Sequence, residues 1–432
     1  MEQKDKEILS EKGKELFKKK ASRMAASYLR RLEEIKHTPE GLAPFFEVLR
    51  KVHVEMKPPY SPEQEKAVGT FCVMVPNELI YAAGAYPVRL CSGNFTAYSI
   101  SDGLAARDAC PLVKAVAGSA YSGMVSLYDA CDLLVVPVTC DCKKKMAGLL
   151  AQRQKTVIMQ VPQGKHPDSD REVFRQEIYR LVPQLEAVTG KKVTAKTLAE
   201  AINQIGYAQY EMSHFLSLRK NIPPLISGAQ TMAVMNAFAY MPARRWADAM
   251  HGLNGELEKR LGKQEFAAKG NRPRILITGS PITFPNMKLP LLIEEMGGNL
   301  VADETCLGER AIYDPMSVVD TSFDGMIRAM ADRYIKPCTC PVFADNRQRI
   351  FRIRQMIKEY QVQGVIYHVL RGCLSYDYEY LVFEEELESM GIPVIRMESD
   401  YNEEDVEQLR IRMEAFIEMI KMQEYQQRRK GR

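Results

Sequence analysis

Short apolar runs separated by segments of helical periodicity constrain the fold of this chain more than any other feature. Eight such runs occur, at residues 71–75, 87–90, 133–138, 157–161, 275–278, 299–302, 365–368 and 393–397. Strands that alternate with helices form parallel sheets, because a crossover helix is needed to return the chain to the same end of the sheet. The sequence therefore predicts an α/β protein with two similar parallel-sheet domains of the Rossmann or flavodoxin-like type, related by an internal repeat.

Two further segments have helical periodicity without strands. At roughly 150 residues per domain, a chain of this length holds two or three domains. We predict a helical N-terminal segment at 1–65, a first α/β domain at 66–167, a helical connecting segment at 168–270 and a second α/β domain at 271–432. The second half thus repeats the architecture of the first.

The charge pattern bears on compartment and partners. The start of the chain, Met1 to Lys20, mixes Lys and Glu and lacks the apolar core of a secretory signal. The longest uncharged stretch, Asn221 to Ala243, contains prolines and polar residues and is better explained as a buried helix than as a membrane span. The net charge is +4, from 59 basic and 55 acidic residues, which favours neither nucleic acid nor a membrane as a partner. We expect a cytoplasmic protein with reduced thiols.

Ten cysteines are more than a reducing compartment usually retains without a reason. Six of them occupy matched positions of the internal repeat. Cys91 and Cys306 stand in Cys-x-Gly sequences after the second strand of each half, Cys110 and Cys340 each precede a proline, and Cys140 and Cys373 end a buried strand and precede a helix. In parallel sheets, ligand sites gather beyond the carboxyl ends of the strands. We therefore predict two three-cysteine sites, one in each α/β domain, that face each other across a cleft.

Thiolates in this pattern point to a soft metal centre. They bind iron–sulfur clusters or zinc. A structural zinc site usually contains pairs spaced C-x₂₋₄-C, whereas the closest pairs here, Cys140-x-Cys142 and Cys338-x-Cys340, are tighter. Widely spaced single cysteines suit a four-iron cubane, in which three protein ligands leave one iron open. A helix that begins at Cys140 or Cys373 would stabilise the negative charge of a thiolate.

The remaining cysteines have a plainer interpretation. Free cysteine is often a small apolar core residue. We assign Cys72, inside a predicted strand, and Cys131, just before one, to this role. Cys142 and Cys338 are close neighbours of predicted ligands, and spacing alone leaves Cys338 as an alternate to Cys340.

A few polar residues are weaker candidates. We interpret His368 as a satisfied core histidine rather than a ligand, and Glu78 as a first-turn carboxylate rather than a proton donor. Asp141 and Lys143 are candidates for orienting the loop of Cys140. Ser227 and Gly228, at the head of the uncharged helix, are expected to line the substrate side of the site. This expectation rests only on their position in the sequence.

Several stretches resemble one known family from about Phe71 onward. They are Pro76–Pro87 (PNELIYAAGAYP), Val136–Met146 (VPVTCDCKKKM), Gly391–Tyr401 (GIPVIRMESDY) and Gln408–Glu418 (QLRIRMEAFIE). The chain is similar to the D-component family of 2-hydroxyacyl-CoA dehydratases, which also includes subunits of benzoyl-CoA reductases. Two positions depart from the family pattern: Cys142 stands where glycine is expected, and Ala344-Asp345 where proline is expected.

The resemblance implies an iron–sulfur enzyme. Dehydratase subunits of this family hold one four-iron cluster with three cysteines, which correspond here to Cys110, Cys140 and Cys373. The further Cys91, Cys306 and Cys340 make the chain most similar to the double-cubane cluster reductases, whose 8Fe-9S cluster needs six cysteines. That branch implies an oxygen-sensitive homodimeric oxidoreductase of an anaerobe, which receives electrons from a separate ATP-hydrolysing iron–sulfur activator and reduces a small molecule.

Three alternatives stay open on the sequence. The chain is alternatively the iron–sulfur subunit of a 2-hydroxyacyl-CoA dehydratase, a non-enzymatic iron–sulfur cluster carrier, or a zinc-stabilised α/β binding protein. Because the sequence contains no Gly-x₄-Gly-Lys-[Ser/Thr] loop, ATP is expected to bind to another protein.

Overall fold

The computed structural model of the chain describes residues 9–312 and 314–430. Its strands are β1 (Ala67–Thr70), β2 (Tyr86–Arg89), β3 (Leu133–Val138), β4 (Thr156–Gln160), β5 (Arg274–Gly279), β6 (Asn299–Glu304), β7 (Gly364–Leu370) and β8 (Val394–Ser399). They form two four-stranded sheets with the orders β2-β1-β3-β4 and β6-β5-β7-β8, and every neighbouring pair is parallel. The predicted class is confirmed: this is an α/β protein in which the same sheet topology occurs twice.

Helices connect the strands and fill the segments between the sheets. In the first half they are α1 (Glu11–Glu33), α2 (Ala43–Leu49), α3 (Asn77–Ala82), α4 (Phe95–Ser99), α5 (Pro111–Ser122), α6 (Ser126–Asp129) and α7 (Asp141–Leu150). The middle segment contains α8 (Asp170–Thr189), α9 (Ala195–Arg219), α10 (Gly228–Ala237) and α11 (Ala243–Gly262). The second half adds α12 (Lys288–Glu295), α13 (Phe323–Ile335), α14 (Arg347–Glu359), α15 (Leu374–Ser389) and α16 (Val406–Lys430). Residues 1–8 of the predicted N-terminal segment lie outside the described residues.

One predicted strand is misplaced. The apolar run 71–75 is a loop, and the strand before it is β1, which ends at Thr70. Val73, Met74 and Val75 are buried in a core that also contains Met326 and Ile327 of α13. The run is therefore apolar because it is enclosed between the two halves, and Cys72 lies beyond the carboxyl end of β1 rather than inside a strand.

The uncharged stretch 221–243 contains the most enclosed helix of the middle segment. Every residue of α10 is buried. A Cβ atom built on Gly228 would lie 2.0 Å from the carbonyl oxygen of Leu300, so only glycine permits this contact with β6. The interpretation of the stretch as a buried helix is confirmed, and no helix among the described residues is long and apolar enough to cross a membrane.

Both sheets share one hydrophobic core. It includes Leu134 and Val136 of β3, Ile275 and Ile277 of β5, and most of α10. The four strands of each sheet lie within the predicted ranges 66–167 and 271–432, while the division into domains at those boundaries stays a prediction. Because the two sheets pack around common helices, the loops beyond their strands meet each other.

Candidate functional site

Five of the six matched cysteines lie beyond a strand or at the start of a helix. Cys91 follows β2 and Cys306 follows β6, at equivalent places in the two sheets. The N-cap residues of α5, α7 and α15 are Cys110, Cys140 and Cys373, respectively. A helix N-terminus presents unpaired N–H groups, which favour a thiolate there. Cys340 lies in the loop between α13 and α14.

The first thiol group consists of Cys110, Cys140 and Cys373. Gly372, at φ +73°, packs on the backbone before α5, where a Cβ atom would lie 2.6 Å from the carbonyl oxygen of Asp108. Burial raises the pKa of Cys110, and the thiols of Cys373 and Cys140 raise it further. Burial also raises the pKa of Cys373 to about 11, with a further contribution from Cys140. These three thiols are therefore neighbours, and Cys142 lies beside them.

The second thiol group consists of Cys72, Cys91, Cys306, Cys338 and Cys340. Burial raises the pKa of Cys340 well above its usual range, and the nearby thiols of Cys306 and Cys338 add to the rise. For Cys91 too, burial raises the pKa, and both Cys72 and Cys306 contribute. Burial alone would raise the pKa of Cys72, but the cations Lys143 and Arg89 outweigh it and lower that pKa. Cys72, which the sequence assigned to the core, belongs to this group.

The prediction of one site in each domain is wrong in its grouping. The first thiol group joins two cysteines of the first half to Cys373, and the second joins Cys91 to Cys306 and Cys340. The loops after corresponding strands approach across the molecule: a Cβ atom on Gly93 would lie 1.9 Å from the carbonyl oxygen of Thr283. Each group therefore draws on both repeats.

A half-buried lysine lies between the two thiol groups. The ammonium of Lys143 donates to the carbonyl oxygen of Phe71 at 2.8 Å. Burial alone would lower the pKa of Lys143, but negative charge on Cys72, Cys91 and Cys140 outweighs it and raises that pKa. Lys143 thus faces thiols of both groups. The other loop candidate, Asp141, is exposed in the first turn of α7.

Arg310 contacts a predicted ligand directly. Its Nη1 lies 3.3 Å from Cys306 Sγ and donates to the hydroxyl of Tyr376 at 2.9 Å. The Nε atom of Arg310 donates to Glu304 Oε1 at 2.8 Å, and its Nη2 donates to the carbonyl oxygen of Glu304 at 3.1 Å. Arg310, Glu304 and Tyr376 are all buried. Arg310 is therefore fixed by Glu304 with its guanidinium against the sulfur.

The carboxylate of Glu304 also binds the loop that carries Cys338 and Cys340. Thr339, between those two cysteines, donates its hydroxyl proton to Glu304 Oε1. On the other oxygen, Arg349 Nε donates at 2.9 Å and Thr278 Oγ1 at 2.8 Å. Burial would raise the pKa of Glu304, but Arg310 and Arg349 outweigh it and lower that pKa to about 2. One carboxylate thus holds two cysteine-bearing segments together.

The donor set suits an iron–sulfur cluster. Among the described residues, no three or more His, Cys, Asp or Glu side chains converge closely enough to hold a single metal ion. Thiolates around one zinc would lie within about 4 Å of one another, because each Zn–S bond is about 2.3 Å long. A cubane binds each thiolate through a different iron and so spaces its ligands more widely. Thiols that range from the buried Cys91 to the exposed Cys140, accompanied by Lys143 and Arg310, fit an anionic cluster, and the zinc alternative gains no support from this geometry.

The weaker polar candidates of the sequence mostly form contacts that hold the fold together and do not lie at the thiol groups. Ser227 and Gly228 lie at the start of α10, where Ser227 Oγ and Gly228 N donate to the carboxylate of Glu294. Gly228 contacts Leu300 near the start of β6, whereas Cys306 follows the end of that strand. The expectation that they line the substrate side is not supported. Glu78 is buried in α3, where it accepts a hydrogen bond of 2.8 Å from Tyr334 of α13 and so links the two halves.

The interpretation of His368 as a satisfied core histidine agrees with its contacts. Its Nδ1 is 3.1 Å from the carbonyl oxygen of Ser280 and its Nε2 is 2.9 Å from Ser399 Oγ. Burial lowers the pKa of His368 to about 4. The unfolded chain, with a histidine pKa near 6.5, therefore binds more protons between pH 6.5 and 4, so stability falls as the pH falls through that window.

We expect the His368→Gln variant to lose less stability than the parent on acidification. Between pH 7 and pH 5.5, the buried neutral imidazole should cost the parent about 1 kcal/mol of unfolding free energy that the variant does not lose. Urea unfolding at the two pH values measures this difference. Equal losses in both proteins would show that His368 titrates with an ordinary pKa.

The site residues that the sequence missed are charged groups in buried places. Glu304 and Arg310 flank Cys306, and Arg349 comes from α14. A weak signal existed, because Glu304 lies between a predicted strand, residues 299–302, and the predicted ligand Cys306, two residues from each. Which cation would neutralise it was not readable, since Arg349 lies 45 positions away in the chain.

Repeated parallel sheets with cysteines gathered between their strand ends define a class of two-repeat α/β proteins with a thiol-lined centre. A sequence model described as 2-hydroxyglutaryl-CoA dehydratase, D-component, matches residues 72–420. The chain belongs to that family, together with the dehydratase and benzoyl-CoA reductase subunits that it resembles.

Individual relatives agree with this assignment. The chain is 32% identical over 357 residues to YjiM of Escherichia coli, a candidate dehydratase subunit, and the match covers 82% of this chain and 91% of that protein. It is 25% identical to the β subunit of (R)-phenyllactyl-CoA dehydratase of Clostridium sporogenes, over 82% and 92% of the two chains. One of the benzoyl-CoA reductase subunits of Thauera aromatica is 20% identical to it, over 83% of this chain and 91% of that protein.

Proposed function

We propose that this protein is a low-potential reductase of small molecules that uses a double-cubane iron–sulfur cluster. The observation that carries the proposal is the gathering of all six matched cysteines into two thiol groups with the half-buried Lys143 between them. The ligands would be Cys91, Cys110, Cys140, Cys306, Cys340 and Cys373. Cys340 is preferred to its alternate Cys338 because its pKa responds to Cys306 more than to any other neighbouring thiol.

The bound cluster would supply low-potential electrons, and the residues of this chain would set its environment. Lys143 and Arg310 place positive charge beside thiolates of the cluster, which stabilises its reduced form and raises its potential. Cys91, Cys72 and Cys338 are buried and Cys306 and Cys340 are half-buried, which limits the access of water to the second thiol group. Electrons would come from a separate ATP-hydrolysing iron–sulfur activator, and the protein would work as a cytoplasmic homodimer.

The second candidate is the iron–sulfur subunit of a 2-hydroxyacyl-CoA dehydratase. The relatives named as β subunits of acyl-CoA dehydratases favour it, and the first thiol group alone would hold its single four-iron cluster. A cluster carrier is the non-enzymatic candidate. The second thiol group separates the proposals, since a single cubane leaves those five cysteines without a metal.

Anaerobic iron and sulfide analysis tests the proposal. We expect about eight irons per chain. We also expect the electron paramagnetic resonance spectrum to change when the activator and ATP are added. About four irons per chain would favour the dehydratase subunit. Full release of the cluster to an acceptor protein, without activator-dependent turnover, would favour the carrier.

A further inference from the structure

A cavity of about 30 Å³ lies beside the second thiol group, between the two halves. Val73, which follows Cys72, and Leu307, which follows Cys306, form part of its wall. Its polar lining includes Arg89, Tyr81 and Tyr334. The cavity thus places a charged group and two hydroxyl-bearing rings near Cys72 and near Cys306, of which the proposed function makes Cys306 a cluster ligand.

The guanidinium of Arg89 has a hydrogen-bond partner but no carboxylate partner among the described residues, so an anion could pair with it. Its Nε donates to Thr70 Oγ1 at 3.1 Å, and no carboxylate among the described residues forms an ion pair with its guanidinium. This differs from Arg310 and Arg349, which are both paired with Glu304. An arginine in a partly enclosed cavity without an anionic partner favours a ligand that supplies one, because guanidinium forms strong charge-assisted hydrogen bonds with oxyanions.

The size of the cavity limits what it accepts. A cavity must have a volume of about 10–15 Å³ to hold one water molecule. The space beside Arg89 therefore fits a ligand of about two to four heavy atoms, and it is far too small for the acyl chain of a CoA thioester.

We propose that this cavity is the substrate site and that it takes a small anion, or a small molecule with a strongly accepting oxygen or nitrogen, anchored on Arg89. This inference rests on the proposed function and narrows its substrate class. The competing role for Arg89 is to balance the charge of the cluster alone, since its positive charge also lowers the pKa of Cys72.

Anion binding to the anaerobic, iron-loaded protein tests the site. Formate, acetate and butyrate serve as probes of rising size, with binding measured by isothermal titration calorimetry. We expect formate to bind at least tenfold more tightly than butyrate. The Arg89→Gln variant should bind formate at least tenfold more weakly, whereas Arg89→Lys should keep part of the affinity.

Arg153→Gln is the matched control, because Arg153 is a surface arginine that stacks on Tyr121. It should bind formate as the parent does. Equal binding of formate and butyrate, or unchanged formate binding by Arg89→Gln, would overturn the proposal. Loss of iron from Arg89→Gln would also overturn it, since Arg89 would then serve the cluster. A parent protein without iron would instead refute the proposed function, which the iron analysis shows independently.

Discussion

The Cys306→Ser variant is expected to lose more than half of its iron. Cys306 is a central member of the second thiol group, where Arg310 contacts its sulfur and where its charge raises the pKa values of Cys91 and Cys340. Serine provides a hard oxygen in place of a soft thiolate, and iron–sulfur clusters are held by thiolates. In a cluster shared by six cysteines, loss of one central ligand should release both cubanes. Iron and sulfide content of the anaerobically purified variant measures the effect.

Cys131→Ser is the control for this experiment. The Cys131 thiol is buried and donates to the carbonyl oxygen of Leu127 at 3.2 Å, and it belongs to neither thiol group. This variant should keep its full iron content. If Cys306→Ser retains half or all of the iron, a cluster shared by six cysteines is contradicted, and retention of half would indicate two independent centres.

The Glu304→Gln variant is expected to destabilise the protein by about 3–5 kcal/mol, the usual cost of removing one partner from a buried ion pair. The amide cannot neutralise the buried guanidinium groups of Arg310 and Arg349, which the carboxylate now pairs with. The amide keeps only one acceptor oxygen, so it cannot accept from Thr339 and from Arg349 and Thr278 at once, and the common anchor of the Cys306 and Cys340 segments is weakened. Denaturant unfolding at pH 7 measures the loss.

The control and the pH dependence sharpen this test. Glu385→Gln, at an exposed position of α15, should change stability by less than about 0.5 kcal/mol. The folded-state pKa of Glu304 is lowered to about 2, so its stabilisation is complete above the usual glutamate pKa near 4.5 and is lost only as the pH falls toward 2. The difference between parent and variant should therefore be the same at pH 7 and pH 5.5. A loss below about 1 kcal/mol would show that the buried network relaxes around the amide.

The sequence predicted the strands well because most strands of both sheets are buried, and only the edge strands β4 and β8 are partly exposed. Seven of the eight apolar runs coincide with strands, since parallel strands covered on both faces read as continuous apolar segments. The run 71–75 failed for the same physical reason: enclosure between the halves makes a loop as apolar as a strand. An apolar run in the sequence indicates that a segment is buried. It does not show whether the buried segment is a strand or a loop.

The membership of the candidate site stays a prediction, and its grouping could not be predicted from the sequence. The internal repeat singled out Cys91, Cys110, Cys140, Cys306 and Cys373, because matched positions in two halves of one sheet topology are equivalent in space. How one sheet is oriented against the other depends on α10 and the middle helices that pack between them. The orientation of the two sheets determines which loops lie close together. It cannot be predicted from the residue pattern of any short stretch of the sequence. Cys72 is a buried core residue as predicted, and the same limitation hid only its position in the second thiol group.

The mixed origin of the two thiol groups has a consequence for how the protein is made. The first group needs Cys373, and the second needs Cys306 and Cys340, in addition to cysteines of the first half. Neither group is complete on a nascent chain that has only its first sheet outside the ribosome. If the chain holds the proposed cluster, its insertion would therefore wait until synthesis has passed Cys373 and the second sheet has docked. Until then, the early cysteines would be free thiols open to oxidation, and the proposed cluster protein would be sensitive to oxygen before maturation as well as after it.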